Sequence, residues 1–323
     1  MNRIFRFIDP YILLMLLTVG LSAIFPAHGA SAKVADVAAD AGIVFLFFLY
    51  GVRLSPQAAV SGIMQWRLQL AVLLCTFVIF PMLGTVLTKA VEGSLPQPLV
   101  TGLLFLCLMP STVQSSIAFT SIARGNVPAA LCAASASNIL GVFISPLLAG
   151  WLLTTRGVVL SFDIFRDISL QLLAPFLIGQ MLRPWIGGWV QAHRHVLGYT
   201  DRGSILLIIY VAFSKGVVDR VWSQVNAVDL VELIGVSAAL LAVILIITRL
   251  IARRLMHLSI EDEIVLQFCG SKKALSSGLP MASILFSGPQ LGLVVLPLML
   301  FHQTQLIVCA VLAKRFAMRK AAD

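Results

Sequence analysis

Two adjacent lysines, Lys272 and Lys273, stand in the middle of a stretch that is otherwise suited to crossing a membrane, EIVLQFCGSKKALSSGLPMASILF from Glu263 to Phe286. About 20 residues at a rise of 1.5 Å span roughly 30 Å of hydrocarbon, and neither lysine is near enough to an end to reach the headgroups easily. An ionisable group at that depth is costly, and its presence points to function. One ammonium there can stand in for a coupling cation or pair with an anionic solute. Ser271, Ser276 and Ser277 flank the lysines, and Gly278 and Pro280 threaten the helix, because proline removes a backbone hydrogen bond and clashes with the preceding turn. A second polar interruption lies earlier in the chain. The apolar run LVTGLLFLCLM stops at Pro110 and gives way to Ser111, Thr112, Gln114, Ser115 and Ser116. Hydroxyls and a carboxamide beside carbonyls freed by Pro110 can coordinate a cation or hydrogen-bond a solute. Two further apolar runs carry His302, Gln303 and Gln305, and Ser135, Ser137 and Asn138. Gln303 or Gln305, together with Asn138, is expected to brace the interruptions, and His302 is a candidate proton carrier because an imidazole changes charge near neutral pH. The plainer readings are hydroxyls acting as glue between packed helices, and lysines paired with backbone carbonyls or with Glu261, Asp262 or Glu263.

The elements that must position these residues are membrane helices. Of 323 residues 59% are hydrophobic and 11% charged, against about 25% charged in soluble proteins. That balance leaves little chain for a soluble domain. The net charge of +9 lies in short loops, which suits an anionic inner leaflet rather than nucleic acid. The five cysteines all fall within apolar runs without metal-ligand spacing and read as small buried hydrophobes. Apolar runs predict ten spans, at roughly 11–26, 41–54, 68–88, 99–122, 127–153, 168–182, 203–217, 230–251, 263–285 and 291–312. With the N-terminus inside, fifteen of the 23 Lys and Arg lie on the cytoplasmic side and six opposite, the last two being Lys272 and Lys273. Both termini are therefore expected in the cytoplasm. Arg3, Arg6, an apolar run and PAHGASA also resemble a cleavable signal sequence; the expectation is that this first span is kept.

The halves match in outline. Phe5-Arg6-Phe7-Ile8 leads into span 1 and Pro26 closes it, while Phe165-Arg166-Asp167-Ile168 leads into span 6 and Pro184 closes it. Spans 2 and 7 are both short, and each precedes an amphipathic connector. Spans 4 and 9 are both interrupted. Five spans per half is an odd number, so the second half enters from the opposite side, the inverted repeat of many secondary transporters. No G-x-x-x-x-G-K-[ST] motif supports ATP hydrolysis, and no H-E-x-x-H or Cys/His cluster suggests a metal enzyme. Two other functions compete with transport. Ser276-Ser277-Gly278 with a nearby lysine and His302 offers a nucleophile and a base for an intramembrane serine hydrolase, and a regulatory membrane protein without transport is the other.

The runs LCLMPSTVQSSIAFTSIARGN, ASASNILGVFISPLL, FCGSKKALSSGLPM and FHQTQLI resemble the bile acid:sodium symporter family, in the branch of solute carrier family 10 member 7 and its bacterial homologues. The resemblance covers nearly the whole chain. It implies an all-α polytopic fold of ten helices in two inverted five-helix repeats, residues 1–154 and 163–315, in a bacterial inner membrane. Spans 1, 2, 6 and 7 would form a panel; spans 3–5 and 8–10 would form a core whose fourth and ninth helices unwind and cross, with an organic solute bound beside the crossing. No cofactor is implied beyond Na⁺ as coupling ion. Ser115 and Ser116 match the family's sodium-site positions in span 4, and Ser135 or Ser137 approximates the span 5 hydroxyls. The chain departs from the pattern where Pro110-Ser111-Thr112 replaces Pro-Gly-Gly, where Ser115-Ser116 replaces Ser-Asn, and where Ser271-Lys272-Lys273 takes the place of a Glu and the Gln-Asn pair after it. An ammonium about 4 Å from sodium would repel it by about 4 kcal/mol at an effective dielectric near 20. The expectation is a symporter-like carrier of an anionic solute in which a lysine supplies the charge and Ser115, Ser116 and Ser135 are the remnant of a sodium site.

Overall fold

The computed structural model describes residues 10–53, 65–154, 169–286 and 288–319. Among these the regular structure is helical: α1 (Pro10–Ile24), α2 (Gly29–Arg53), α3 (Trp66–Ala90), α4 (Gln97–Leu108), α5 (Gln114–Ile122), α6 (Val127–Thr154), α7 (Ala174–Ala192), α8 (Arg194–Val218), α9 (Ala227–Leu255), α10 (Ile260–Gly270), α11 (Leu275–Leu285) and α12 (Leu291–Ala317). Six of them, α2, α3, α6, α8, α9 and α12, are long and apolar enough to cross a membrane, so the chain is a multi-pass membrane protein. The leader motifs at 5–8 and 165–168 and most of the connector after α2 lie outside the described residues.

The helices fall into two compact units. One comprises residues up to 54, 154–226 and 276–296, and so holds α1, α2, α7, α8 and all of α11 but Leu275; the other comprises 55–153, 227–275 and 297–323, and so holds α3 to α6, α9, α10 and most of α12. In the first unit α2 and α7 approach through glycine. A Cβ on Gly51 would lie 2.0 Å from the carbonyl oxygen of Phe176, and one on Gly179 would lie 2.1 Å from that of Phe48. Small residues are what permit backbones to pack so closely in a bilayer.

The same unit corrects the expectation that spans 2 and 7 are short. Both α2 and α8 run for 25 residues. Their charged ends break the apolar pattern but are paired side by side: Asp36 with Lys215 at 2.8 Å, and Asp201 with Arg53. These pairs join early residues of one helix to late residues of the other, which makes α2 and α8 antiparallel. Pro184 does not close span 6 either. It lies inside α7, which continues to Ala192 and exposes Trp185 and Trp189, side chains suited to a membrane–water interface.

In the second unit α3 contains a π-helical turn, Cys75–Ile79, just ahead of Pro81. Phe80 N–H donates to Cys75 rather than to Thr76. One carbonyl, that of Thr76, is thereby turned out of the helix ladder, as such bulges do. α9 ends in a similar turn, Ile251–Leu255. All five cysteines are free and buried.

Candidate functional site

Two helix interruptions build the site. α4 ends at Leu108, Met109 is extended, and helix resumes at Gln114. The extended Met109 is the geometry that Pro110 favours at the residue before it. The second break is at Ser271–Ala274, between α10 and α11. Helix then passes through Gly278 and Pro280, which the sequence had marked as the threat. Pro280 falls within the second turn of α11, where its missing N–H leaves the Ser276 carbonyl alone without its usual partner.

Each break frees backbone groups, and their partners can be traced one by one. Leu108 O accepts from Ser145 Oγ at 2.7 Å, Pro110 O from Ala274 N at 2.8 Å, and Ser111 O from Asn138 Nδ2 at 2.6 Å. Ser111 N donates to Ser137 Oγ at 3.0 Å. On the other break, Cys269 O accepts from Ser111 Oγ at 2.6 Å and Phe268 O from Ser116 Oγ at 3.0 Å. The two interruptions therefore terminate each other. Pro110 packs on α6 where Gly141 leaves room for its ring.

Lys273 takes the rest. Its Nζ donates to Met109 O at 2.7 Å, Cys107 O at 2.8 Å and Thr76 O at 2.9 Å, so all three of its protons are used. Phe80 lies beneath, its ring centroid 4.1 Å from Nζ. Cys107 and Met109 stand at the C-terminus of α4, the negative end of the helix dipole, and the Thr76 carbonyl is the one released by the π turn. A fully buried ammonium is thus held by oriented dipoles, and among the described residues no carboxylate pairs with it. The backbone of Lys273 is held by Gln305: Lys273 N donates to Oε1 at 2.9 Å, and Nε2 donates to Lys273 O at 2.9 Å and to His302 Nδ1 at 2.8 Å.

Lys272 is equally buried but differently placed. Its Nζ has no hydrogen-bond partner. It lies 3.9 Å from the ring centroid of Phe119 and 5.4 Å from that of Phe268, two rings that pack in one apolar cluster with Ile264, Cys309 and Phe316. Of the acids that might have paired with the lysines, Glu261 is exposed and the other two are engaged elsewhere. Glu263 binds Arg253 at 2.8 Å, and Asp262 accepts from Asn126 Nδ2 at 2.9 Å.

The remaining sequence-derived candidates divide. Thr112 Oγ1 joins Ser115 Oγ at 2.8 Å and Ser116 Oγ at 3.0 Å, but half-buried Ser135 takes no part in this hydroxyl cluster. Gln114 is exposed, and Gln303 Oε1 is buried without a partner. Ser271 Oγ caps Gln267 O. Ser276 and Ser277 belong to the first unit, where Ser276 is hydrogen-bonded to Tyr50 and Ser277 Oγ is buried without a partner. Thr76, Cys107, Met109, Phe80, Phe119 and Phe268 escaped sequence reasoning. Backbone carbonyls carry no residue-type signal, and the only local clue to the Thr76 carbonyl was Pro81.

Residues 9–318 match the family model described as the SBF-like CPA transporter family. The chain is 50% identical over 313 residues to PA2026, an uncharacterized protein of Pseudomonas aeruginosa, covering 97% of this chain and 94% of that one. It is 46% identical over 314 residues to YfeH of Escherichia coli, named as a proposed symporter, with the same coverage. To the sodium/bile acid cotransporter 7 of Xenopus tropicalis it is 27% identical over 278 residues, 83% of this chain and 78% of that one. YfeH and cotransporter 7 are transporters by name and not enzymes, and the hydrolase reading loses its base as well, since His302 Nδ1 is occupied by Gln305. The chain belongs to the SBF-like CPA transporter family.

Proposed function

We propose that this protein is a secondary transporter that moves an organic, anionic solute across the bacterial inner membrane by alternating access, with the ammonium of Lys273 in place of a coupling sodium ion. The observation that carries the reading is the set of three carbonyl oxygens on Lys273 Nζ, within 2.7–2.9 Å. Converging backbone carbonyls at unwound half-helices are how transporters hold coupling cations. Here a tethered cation already holds them. The names of YfeH and of cotransporter 7 support a symporter-like carrier, and the sodium in the latter's name makes Na⁺ the ion to test.

Ten spans in two inverted repeats, 1–154 and 163–315, with both termini cytoplasmic, is the architecture that fits this reading. Helices broken at 109–113 and 271–274 cross as pairs, α4 with α5 and α10 with α11, and with α1 and α7 they supply four spans beyond the six long ones. A panel of spans 1, 2, 6 and 7 and a core of the rest follow the division of the helices between the two units, save that 276–296 falls with the first.

The test is the ion. Thermal unfolding in Na⁺ and in K⁺ at equal ionic strength should give the same melting temperature; a clear rise in Na⁺ would overturn the assignment of Lys273. Uptake of radiolabelled organic anions into proteoliposomes should be lost in Lys273→Ala, and undiminished uptake would count equally against it.

A further inference from the structure

The first unit holds a polar group that the lysine site does not use. Arg53, at the C-terminal end of α2, donates through Nη1 to Asp201 Oδ2 on α8. Its other edge is intact: Nε and Nη2 are both buried and neither has a partner. Those two nitrogens form the side-on fork of a guanidinium, whose parallel N–H groups match the two oxygens of a carboxylate or sulfonate. Asp201 Oδ1 is likewise buried and without a partner. One turn back on α2, the Tyr50 hydroxyl is hydrogen-bonded to Ser276.

The position is rigidly built. Gly51 brings the α2 backbone against Phe176 and Gln180 of α7, Val52 is 2% exposed, and Arg53 follows directly. The pair lies near the surface, the Arg53 side chain keeping 26% of its surface and that of Asp201 14% through atoms other than the buried Nε, Nη2 and Oδ1. A buried donor left without an acceptor costs about 1–3 kcal/mol, and more for a charged group. A fork with both donors idle is therefore a place where an oxyanion is favoured. Asp201, bound at the far edge, fixes the orientation of the guanidinium and leaves it standing between two carboxylates.

We propose that the Nε–Nη2 edge of Arg53 is an oxyanion site that takes the carboxylate or sulfonate group of the transported solute, with Asp201 as its positioning residue. This rests on the reading of the protein as an organic-anion carrier and adds to it the residue that recognises the charge. A lipid headgroup phosphate presents the same chemistry, so the experiment has to separate the two sources.

Acetate and methanesulfonate are titrated against chloride at constant ionic strength into the purified protein in detergent, and the melting temperature is followed. The wild type should show a rise of about 2–4 °C that grows with the logarithm of the anion concentration above its Kd. Arg53→Lys keeps the positive charge and an ion pair to Asp201 but presents no fork, so it should show none. A wild type indifferent to both anions, or an equal rise in Arg53→Lys, overturns the proposal. Should Arg53→Lys fail to fold, phenylglyoxal modification of Arg53 in the intact wild type, read by peptide mass spectrometry, decides instead: acetate slows it several-fold if the fork is the site, and no protection overturns the proposal. Protection by phosphatidylglycerol in liposomes without protection by acetate assigns the edge to a lipid and overturns the solute assignment. Binding is read here without transport. Anion binding with no uptake would therefore refute the carrier reading alone, and uptake with no binding at Arg53 would refute this site alone.

Discussion

The side-chain amide of Gln305 satisfies both backbone groups of Lys273, accepting its N–H and donating to its carbonyl, each at 2.9 Å. Lys273 N–H fixes which end of the amide is oxygen. Nε2 must then be the donor to His302 Nδ1, and the neutral imidazole carries its proton on Nε2. One carboxamide on α12 thus replaces the two helical hydrogen bonds that Lys273 gives up by lying in the break, which lets its ammonium turn to the α4 terminus.

Gln305→Leu tests that relationship. It leaves one N–H and one C=O buried and unpaired, at about 1–3 kcal/mol each, so stability should fall by about 2–4 kcal/mol. Amide hydrogen exchange at residues 271–275 should accelerate, while exchange in α2 and α8 stays as in the wild type.

Lys273→Ala should lose about 3 kcal/mol or more, because three buried carbonyls lose their donor together. Methylammonium should restore part of the melting temperature in Lys273→Ala by occupying the vacated carbonyls. It should not do so in Lys273→Met, where the thioether chain fills the space. Thermal melts of both variants with and without methylammonium check this.

The neighbouring substitution has a different expected outcome. Lys272→Met removes an ammonium that makes no hydrogen bond and replaces it with an apolar chain of similar length beside Phe119 and Phe268. The lost ring contact, about 0.5–2 kcal/mol, is offset by relief of an unpartnered buried charge. Stability should stay within about 1 kcal/mol of the wild type, read by thermal melts. A fall as large as that of Lys273→Ala would show that the two lysines are equivalent.

Gly51→Val and Gly179→Val should each abolish most folded protein. The new Cβ would stand about 2 Å from a carbonyl carbon's oxygen on the facing helix, 2.0 Å from Phe176 O or 2.1 Å from Phe48 O, and a backbone atom cannot yield as a side chain can. Overpacking of about 3 kcal/mol or more is expected. Monodispersity in size-exclusion chromatography reads it directly.

Much of the membrane character of this chain is written in its composition, and Pro110 announces the first break because proline acts on its own neighbours. Pro280 misled about the second, and Pro184 about the end of α7, because a proline's cost depends on which carbonyl it orphans and on what else can satisfy that carbonyl. Spans 2 and 7 looked short because Asp36 and Asp201 interrupt the apolar pattern near the start of each helix, and only the packing of α2 on α8 pairs these acids with Lys215 and Arg53.

By itself the sequence determined that two lysines lie in the middle of an apolar, broken stretch, since burial depth and helix interruption follow from local residue type. It could not distinguish Lys272 from Lys273, which are chemically identical and adjacent. Tertiary structure decided that difference. The carbonyls of Thr76, Cys107 and Met109, distant in the chain and invisible as residue types, meet on one ammonium, and the rings of Phe119 and Phe268 face the other.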